Sequence, residues 1–70
     1  MAINVKRLEC LIGERGESWS ILAKNMGMHR SDLVAKLNET RGKELGYREV
    51  AFIRNRYHLT DQEVIDIFFN

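Results

Sequence analysis

The chain contains no proline, a single cysteine and no long apolar segment, and each of these absences excludes a class of structure. One cysteine cannot form an internal disulfide, which is typical of proteins from a reducing compartment. No apolar run approaches the roughly 20 residues that a helix needs to cross a bilayer. The first ten residues, MAINVKRLEC, mix charged with apolar side chains and do not predict a signal peptide. We therefore expect a cytoplasmic protein with one small domain, residues 1–70.

The chain also lacks the residue patterns of common enzyme and metal sites. Neither His29 nor His58 has a second ligand residue at a recurring metal-site spacing, and no Gly-rich phosphate loop is present. Cys10 lies among apolar residues and is predicted to be a small core residue rather than a nucleophile. The sequence therefore predicts no catalytic residues, no metal, no cofactor, no small-molecule substrate and no membrane partner.

The total charge gives little support for nucleic-acid binding, because it is only +1. The distribution of the charge is more informative. Residues 18–59 carry eight Lys and Arg against four Asp and Glu, a net charge of +4, whereas residues 60–70 carry three acids and no base. A basic middle and an acidic end indicate that one face of the molecule meets phosphate and another does not.

Five helices fit the apolar periodicity, and no segment alternates in the way that a strand does. Their predicted bounds are 4–15, 18–26, 30–38, 47–57 and from Thr60 onward. Asn4, Ser18 and Thr60 stand at N-cap positions, and Thr60 with Glu63 has the spacing of a capping box. Residues 38–46 contain two glycines and form the predicted loop.

Residues 18–38, SWSILAKNMGMHRSDLVAKLN, predict two short helices joined by a tight turn. Gly27 follows the last apolar residue of the first helix, where many helices end in a left-handed conformation. Leu33 and Leu37 then resume the helical spacing. A helix, a glycine turn and a second helix form the helix-turn-helix arrangement, whose second helix can enter the major groove of DNA.

This segment resembles the helix-turn-helix domains of phage repressors and Cro-like proteins. The small Ala23, the turn residue Gly27 and the aliphatic Leu33 stand at matching positions. The ending LTDQEVIDIFF, residues 59–69, is similar to the pattern L-T-x-x-E-[VI]-I-x-I-F-F in the last helix of small Gram-positive phage regulators. The resemblance covers nearly the whole chain. It implies an all-α, five-helix, lambda-repressor-like domain that acts in the cytoplasm of a bacterial host.

The third helix carries the residues expected to contact DNA. With Leu33 and Leu37 turned inward, its outer side is small or polar and fits a groove about 12 Å wide. Arg30 is the strongest candidate, because a guanidinium can bind O6 and N7 of guanine together. The predicted base contacts are His29, Arg30, Ser31, Val34 and Ala35, and the predicted backbone contacts are Ser18, Trp19, Lys36, Asn38, Arg41 and Lys43.

Two of these positions depart from the family pattern. The family usually has a glutamine at the position of Trp19, where its amide holds a phosphate and braces the recognition helix. The indole N–H of Trp19 can donate one bond to a phosphate, or the ring can fold over the domain edge or contact a partner. Relatives often have an apolar residue or tryptophan in place of Lys36, whose stem can cover the core while its amine reaches the DNA backbone.

The adjacent residues Ile67, Phe68 and Phe69 predict a protein interface, because three consecutive side chains cannot all face one core. Two functions remain open. The first is a DNA-binding transcriptional regulator of phage or prophage type that binds duplex DNA, with a homodimer expected. The second is an antirepressor or modulator that captures a repressor protein through Trp19 or the Ile67–Phe69 end. The basic middle and the Arg30–Ser31 pair favour the first function, while the near-neutral charge and the missing glutamine favour the second.

Overall fold

The computed structural model describes residues 3–69, apart from the side chain of Arg41. Within this range the chain forms five α-helices, one short 3₁₀ helix and no strand, so the all-α prediction is confirmed. The elements are α1 (Val5–Glu14), α2 (Trp19–Met26), α3 (Arg30–Leu37), the 3₁₀ helix (Thr40–Gly42), α4 (Tyr47–Tyr57) and α5 (Asp61–Phe68). None of the five α-helices described is long and apolar enough to cross a membrane.

The helices begin where short polar side chains can cap them. Asn4, Ser18 and Thr60 each accept a hydrogen bond from the backbone N–H three residues further along. Glu63 in turn accepts a bond from the N–H of Thr60 at 2.9 Å, which completes the predicted capping box. These caps satisfy N–H groups that have no partner inside a helix, and they fix the first turns of α1, α2 and α5.

All five helices contribute to one apolar core. Its buried members are Leu8, Leu11, Ile12, Trp19, Leu22, Ala23, Leu33, Leu37, Leu45, Val50, Ile53, Tyr57, Leu59, Val64, Ile67 and Phe68. Burying one such large side chain stabilises the fold by about 1.5–3 kcal/mol. The backbone N–H of Asn4 donates to the carbonyl of Ile67 at 2.7 Å, so the start of the chain is attached to α5.

Cys10 is exposed, and its predicted place in the core is wrong. The buried stripe of α1 consists of Leu8, Leu11 and Ile12. Because successive residues of a helix are about 100° apart, this stripe turns residue 10 to the opposite side. An apolar neighbourhood in the sequence therefore does not fix the side of a helix on which a residue lies.

A polar link connects the turn before α2 to the end of α4. The carboxylate of Glu17 accepts bonds from Arg56 Nε and Nη2 at 2.9 and 2.7 Å and from Tyr57 Oη at 2.8 Å. The bonds from Arg56 and Tyr57 lower the pKa of Glu17. Burial, together with Glu17, raises the pKa of Tyr57 to about 12. The guanidinium of Arg15 also donates to the Tyr57 carbonyl, so α4 is held from both sides of the turn.

Candidate nucleic-acid interface

A glycine turn sets the position of α3 against α2. Gly27 adopts φ 74° and ψ 30°, in the left-handed region that glycine tolerates best. The N–H groups of Gly27 and Met28 bond to the carbonyls of Lys24 and Ala23, the two-bond pattern of a Schellman motif. Ala23 is buried, and its small side chain lets the two helices approach each other. The predicted helix, glycine turn and helix are therefore present at the predicted residues, and α2 packs against α3.

The two sides of α3 differ sharply in burial. Leu33 and Leu37 are buried in the core, as predicted. The side away from them carries Ser31, Ala35 and Asn38, which recur at the spacing of one helical face. Of the predicted DNA contacts on and beside α3, His29, Arg30, Ser31 and Asn38 are exposed, and Val34, Ala35 and Lys36 are half-buried. Apart from Lys36, these residues, 29–31, 34, 35 and 38, include no Phe, Tyr or Trp, and we name them the α3 face; one of them, Val34, also packs against the core.

The start of α3 is an unusual place for an arginine. His29 occupies the N-cap position in an extended conformation, but no side chain caps the helix. Arg30 is the first helical residue, where the positive end of the helix dipole disfavours a cation. Within residues 3–69 the exposed Arg30 side chain has no ion-pair partner. An unpaired cation beside uncapped N–H groups suits an anion or an electron-rich ligand from outside the chain.

Two lysines predicted to reach the DNA backbone are instead paired with carboxylates of the chain itself. Lys36 Nζ lies 2.7 Å from Glu49 Oε2 on α4, and Lys43 Nζ lies 3.0 Å from Asp32 Oδ1 in the first turn of α3. The stem of Lys36 is largely covered, as expected, but its amine is turned to a carboxylate. In the chain without a ligand both amines are therefore paired, and the contacts of Lys36 and Lys43 with the DNA backbone stay a prediction. The Arg41 side chain lies outside the described part of the structure.

The two carboxylates in these pairs are kept ionised by their surroundings. The hydrogen bond and charge of Lys43 lower the pKa of Asp32, with smaller contributions from His29 and Lys36. Burial opposes ionisation of Glu49, but a bond from the Gly46 N–H and the pairing with Lys36 outweigh it, so its pKa is also lowered. Asp32 thus places a negative charge beside the α3 face.

Trp19 is a core residue, and its predicted phosphate contact is wrong. Its side chain is only 8% exposed, and its indole N–H donates to Glu9 Oε2 on α1 at 3.0 Å. Because this is the only donor of the indole, nothing remains for a phosphate. Ser18, its neighbour, stays exposed; its Oγ accepts a bond from Ile21 N, which leaves the hydroxyl hydrogen able to donate to an external group.

A second surface lies between α4 and α5. A groove of about 270 Å³ is lined mainly by apolar residues, namely Leu45, Gly46, Tyr47, Val50, Ala51, Arg54, Val64 and Phe69. Tyr47 is 88% exposed and Phe69 is 55% exposed at its rim. The predicted interface role of Ile67 and Phe68 is wrong, because both are fully buried. Val64, Ile67 and Phe68 form the inner stripe of α5, and the helix ends before Phe69.

Among the described residues, no three His, Cys, Asp or Glu side chains lie close enough together to hold a metal ion. No protein-family model matches the chain, and no curated protein or solved structure matches it at a significant level. The candidate interface therefore rests on the geometry and chemistry of the α3 face alone.

Proposed function

We propose that this chain is a sequence-specific DNA-binding transcriptional regulator of phage or prophage type, with α3 in the major groove of duplex DNA. The observation that carries the proposal is Arg30, an exposed cation with no ion-pair partner in the described part of the chain, at the uncapped start of a helix that follows a glycine turn. Such a side chain contributes nothing favourable to its own helix. A guanine edge or a phosphate supplies the acceptors that the chain lacks.

The remaining side chains of the α3 face fit the same role. Ser31 can donate or accept a short hydrogen bond, and the methyl groups of Val34 and Ala35 suit the C5-methyl of thymine. Asn38 ends the helix and can donate to the DNA backbone, although in the free chain its amide bonds to the carbonyl of Val34. The absence of bulky side chains on this face allows close approach to a groove about 12 Å wide.

The backbone contacts in this proposal come from Ser18, Asn38 and the loop after α3. Binding as a homodimer places one α3 in each half-site, so the operator is expected to have two-fold symmetry with half-sites about one helical turn apart. In a bacterial host such a regulator acts in the cytoplasm, where the DNA is located.

Selection from a random duplex library tests the proposal directly. The full chain is incubated with duplexes that carry a randomised segment of about 20 base pairs, or two helical turns, and bound DNA is sequenced after several rounds. We expect a symmetric consensus containing guanine in each half-site. The Arg30→Ala chain is expected to lose enrichment at that guanine while keeping the rest of the consensus. If no consensus emerges with the wild-type chain, sequence-specific recognition is ruled out.

The groove between α4 and α5 favours a second candidate, a protein-binding modulator that captures a repressor. Its apolar lining and the exposed rings of Tyr47 and Phe69 are features of a protein contact rather than a DNA contact. Two variants distinguish the two candidate functions experimentally. A modulator loses function when Phe69 is changed to serine and is indifferent to Arg30→Ala, whereas a DNA-binding regulator loses cognate binding with Arg30→Ala.

A further inference from the structure

Asp32 places a negative charge next to the proposed DNA-binding surface of α3, where a negative charge does not favour binding. It occupies the first turn of α3, next to Ser31 and one turn before Ala35 on the α3 face. Its side chain is 44% exposed, so the carboxylate is open to whatever approaches that face. Phosphate oxygens repel a carboxylate, and nothing in the core requires an acid here, since Asp32 belongs to none of the buried positions.

The partner of Asp32 is Lys43, one of the two lysines predicted to contact the DNA backbone. Lys43 follows the 3₁₀ helix Thr40–Gly42, and its amine returns to the start of α3, 11 residues earlier in the chain. The pair therefore fastens the end of the loop beside the α3 face. Both side chains are more than two-fifths exposed, and ion pairs of this kind add little to stability. The pair can open without loss of the fold.

We propose that Asp32 is a specificity-determining residue, which holds Lys43 away from phosphate and thereby weakens binding to DNA of arbitrary sequence. The proposal rests on the DNA-binding function argued above. On arbitrary DNA the chain binds mainly through the phosphate backbone, and a free Lys43 would strengthen that binding. In the wild-type chain Lys43 must first leave Asp32, which then faces phosphate unpaired. At the cognate site the base contacts seat α3 without this phosphate contact, so the pair can stay closed there and specific binding loses little.

The pair Lys36–Glu49 has the same chemistry but a different consequence. Glu49 also accepts a bond from the N–H of Gly46, at the start of α4, and its side chain is only 20% exposed. Removing Glu49 therefore disturbs the first turn of α4 as well as the charge of Lys36. Asp32 makes no such backbone bond among the described contacts, so its charge can be changed with less effect on the structure.

Fluorescence anisotropy with a labelled duplex of arbitrary sequence, about 20 base pairs long, tests the inference. The full wild-type chain is compared with Asp32→Asn between about 0.05 and 0.2 M salt. One additional phosphate contact should tighten binding about fivefold to tenfold at 0.1 M salt and steepen the log–log salt dependence by about one. Affinity for the selected consensus duplex should rise less, so the specificity ratio of Asp32→Asn should fall.

Asp66→Asn is the matched control, because it changes the net charge equally on α5, a helix that packs against α1. It should shift the affinity less than twofold. A separate NMR titration of the Asp32 carboxyl in the free chain checks the pair without DNA. The pKa of Asp32 should lie below its ordinary value of 3.8 and return toward it in Lys43→Met.

The outcomes distinguish this inference from the function on which it rests. If the wild-type chain binds the duplex but Asp32→Asn binds no more tightly than Asp66→Asn, Asp32 has no part in specificity and the proposed function still stands. An Asp32 pKa that Lys43→Met leaves unchanged overturns the inference as well. If neither the wild-type chain nor Asp32→Asn binds any duplex at the lowest salt, the DNA-binding function fails, and the inference fails with it.

Discussion

At the scale of single residues, the start of α3 combines two choices that disfavour the helix. His29 leaves the N-cap position without a side-chain bond, and Arg30 puts a cation at the positive end of the helix dipole. The other capped helices of the chain begin with asparagine, serine or threonine. Gly46, at the start of α4, makes no side-chain cap bond either, but among the described helices only α3 combines an uncapped start with a cation at its first residue, which is consistent with selection for binding at this point.

Arg30→Ala should weaken binding to the selected duplex by about 1–3 kcal/mol, because it removes a bidentate contact to a base. The fold should be unaffected, since the side chain has no partner within the described chain. Anisotropy titrations and a thermal melt measure the two effects. Arg7→Ala, which removes an exposed arginine from α1, is the control and should leave the specificity ratio unchanged. Equal losses in the two variants would show that only net charge matters.

His29→Ser should stabilise the chain by about 1 kcal/mol, because serine can cap the free N–H groups of α3. For a domain of this size the melting temperature should rise by about 4–8 °C in calorimetry. Ser18→Ala, which removes an existing cap from α2, should lower it by a similar amount. A lower melting temperature for His29→Ser would mean that the imidazole supports the fold in a way that the uncapped geometry does not indicate.

At the scale of helices, the sequence predicts what depends on local periodicity and misses what depends on contacts between helices. The bounds of α4, 47–57, were predicted to the residue, because Val50, Ile53 and Tyr57 repeat at helical spacing. The glycine turn and the capping box at Thr60 are equally local. By contrast, no rule of spacing pairs Trp19 with Glu9, since each lies on a different helix.

The same limit applies to the candidate interface. Helical periodicity gave the buried positions Leu33 and Leu37 correctly, but Val34, which it predicted to face outward, is half-buried and packs against the core. It could not give the ion pair between Lys43 and Asp32, which depends on how a loop folds back. It also left open which of the last three apolar residues faces outward, because that depends on where α5 ends. The number of Lys and Arg residues in a segment therefore overstates how many positively charged side chains are free on the surface.

Lowering the pH should destabilise the links between helices. The pKa values of Glu17 and Glu49 are below the ordinary 4.5, and that of Asp32 is below 3.8. A carboxyl group whose pKa is lowered in the folded chain contributes stability when the pH is above its ordinary pKa. This contribution is lost as the pH falls through the lowered pKa. Urea unfolding should therefore show a falling free energy of unfolding from about pH 5 downward.

Glu17→Gln measures how much of this loss comes from the link between the turn before α2 and the end of α4. The amide cannot keep the charge-assisted bonds from Arg56, so the variant should be less stable at neutral pH and less sensitive to acid than the wild type. Asp66→Asn, whose group makes a bond within α5 only, is the control. A Glu17→Gln chain with the full wild-type acid sensitivity would assign the effect to other carboxylates.

At the scale of the whole molecule, two different surfaces are carried by different helices. The α3 face is polar and small, whereas the groove between α4 and α5 is apolar and has exposed rings at its rim. No residue of the α3 face lines the groove, so a dimer joined at the groove residues does not use the α3 face. The proposed function therefore assigns a separate surface to each proposed partner, DNA and protein.

Phe69→Ser should shift the chain toward monomer, or abolish capture of a repressor, without a change in melting temperature, because the ring lies outside the core. Phe68→Ala should instead cost about 3–5 kcal/mol, because its ring is fully buried. Sedimentation equilibrium and a thermal melt on both variants separate assembly from folding. If the wild-type chain is monomeric at high concentration and binds the same partners as Phe69→Ser, the groove is not an interface.

The most direct test of the central claim is a ¹H–¹⁵N correlation spectrum of the chain titrated with the selected duplex. If α3 enters the major groove, the largest chemical-shift changes fall on residues 29–38 and on Lys43, and the buried amides of α1 change little. Changes confined to residues of the α4–α5 groove, or a spectrum that the duplex leaves unaltered at α3, would contradict the claim.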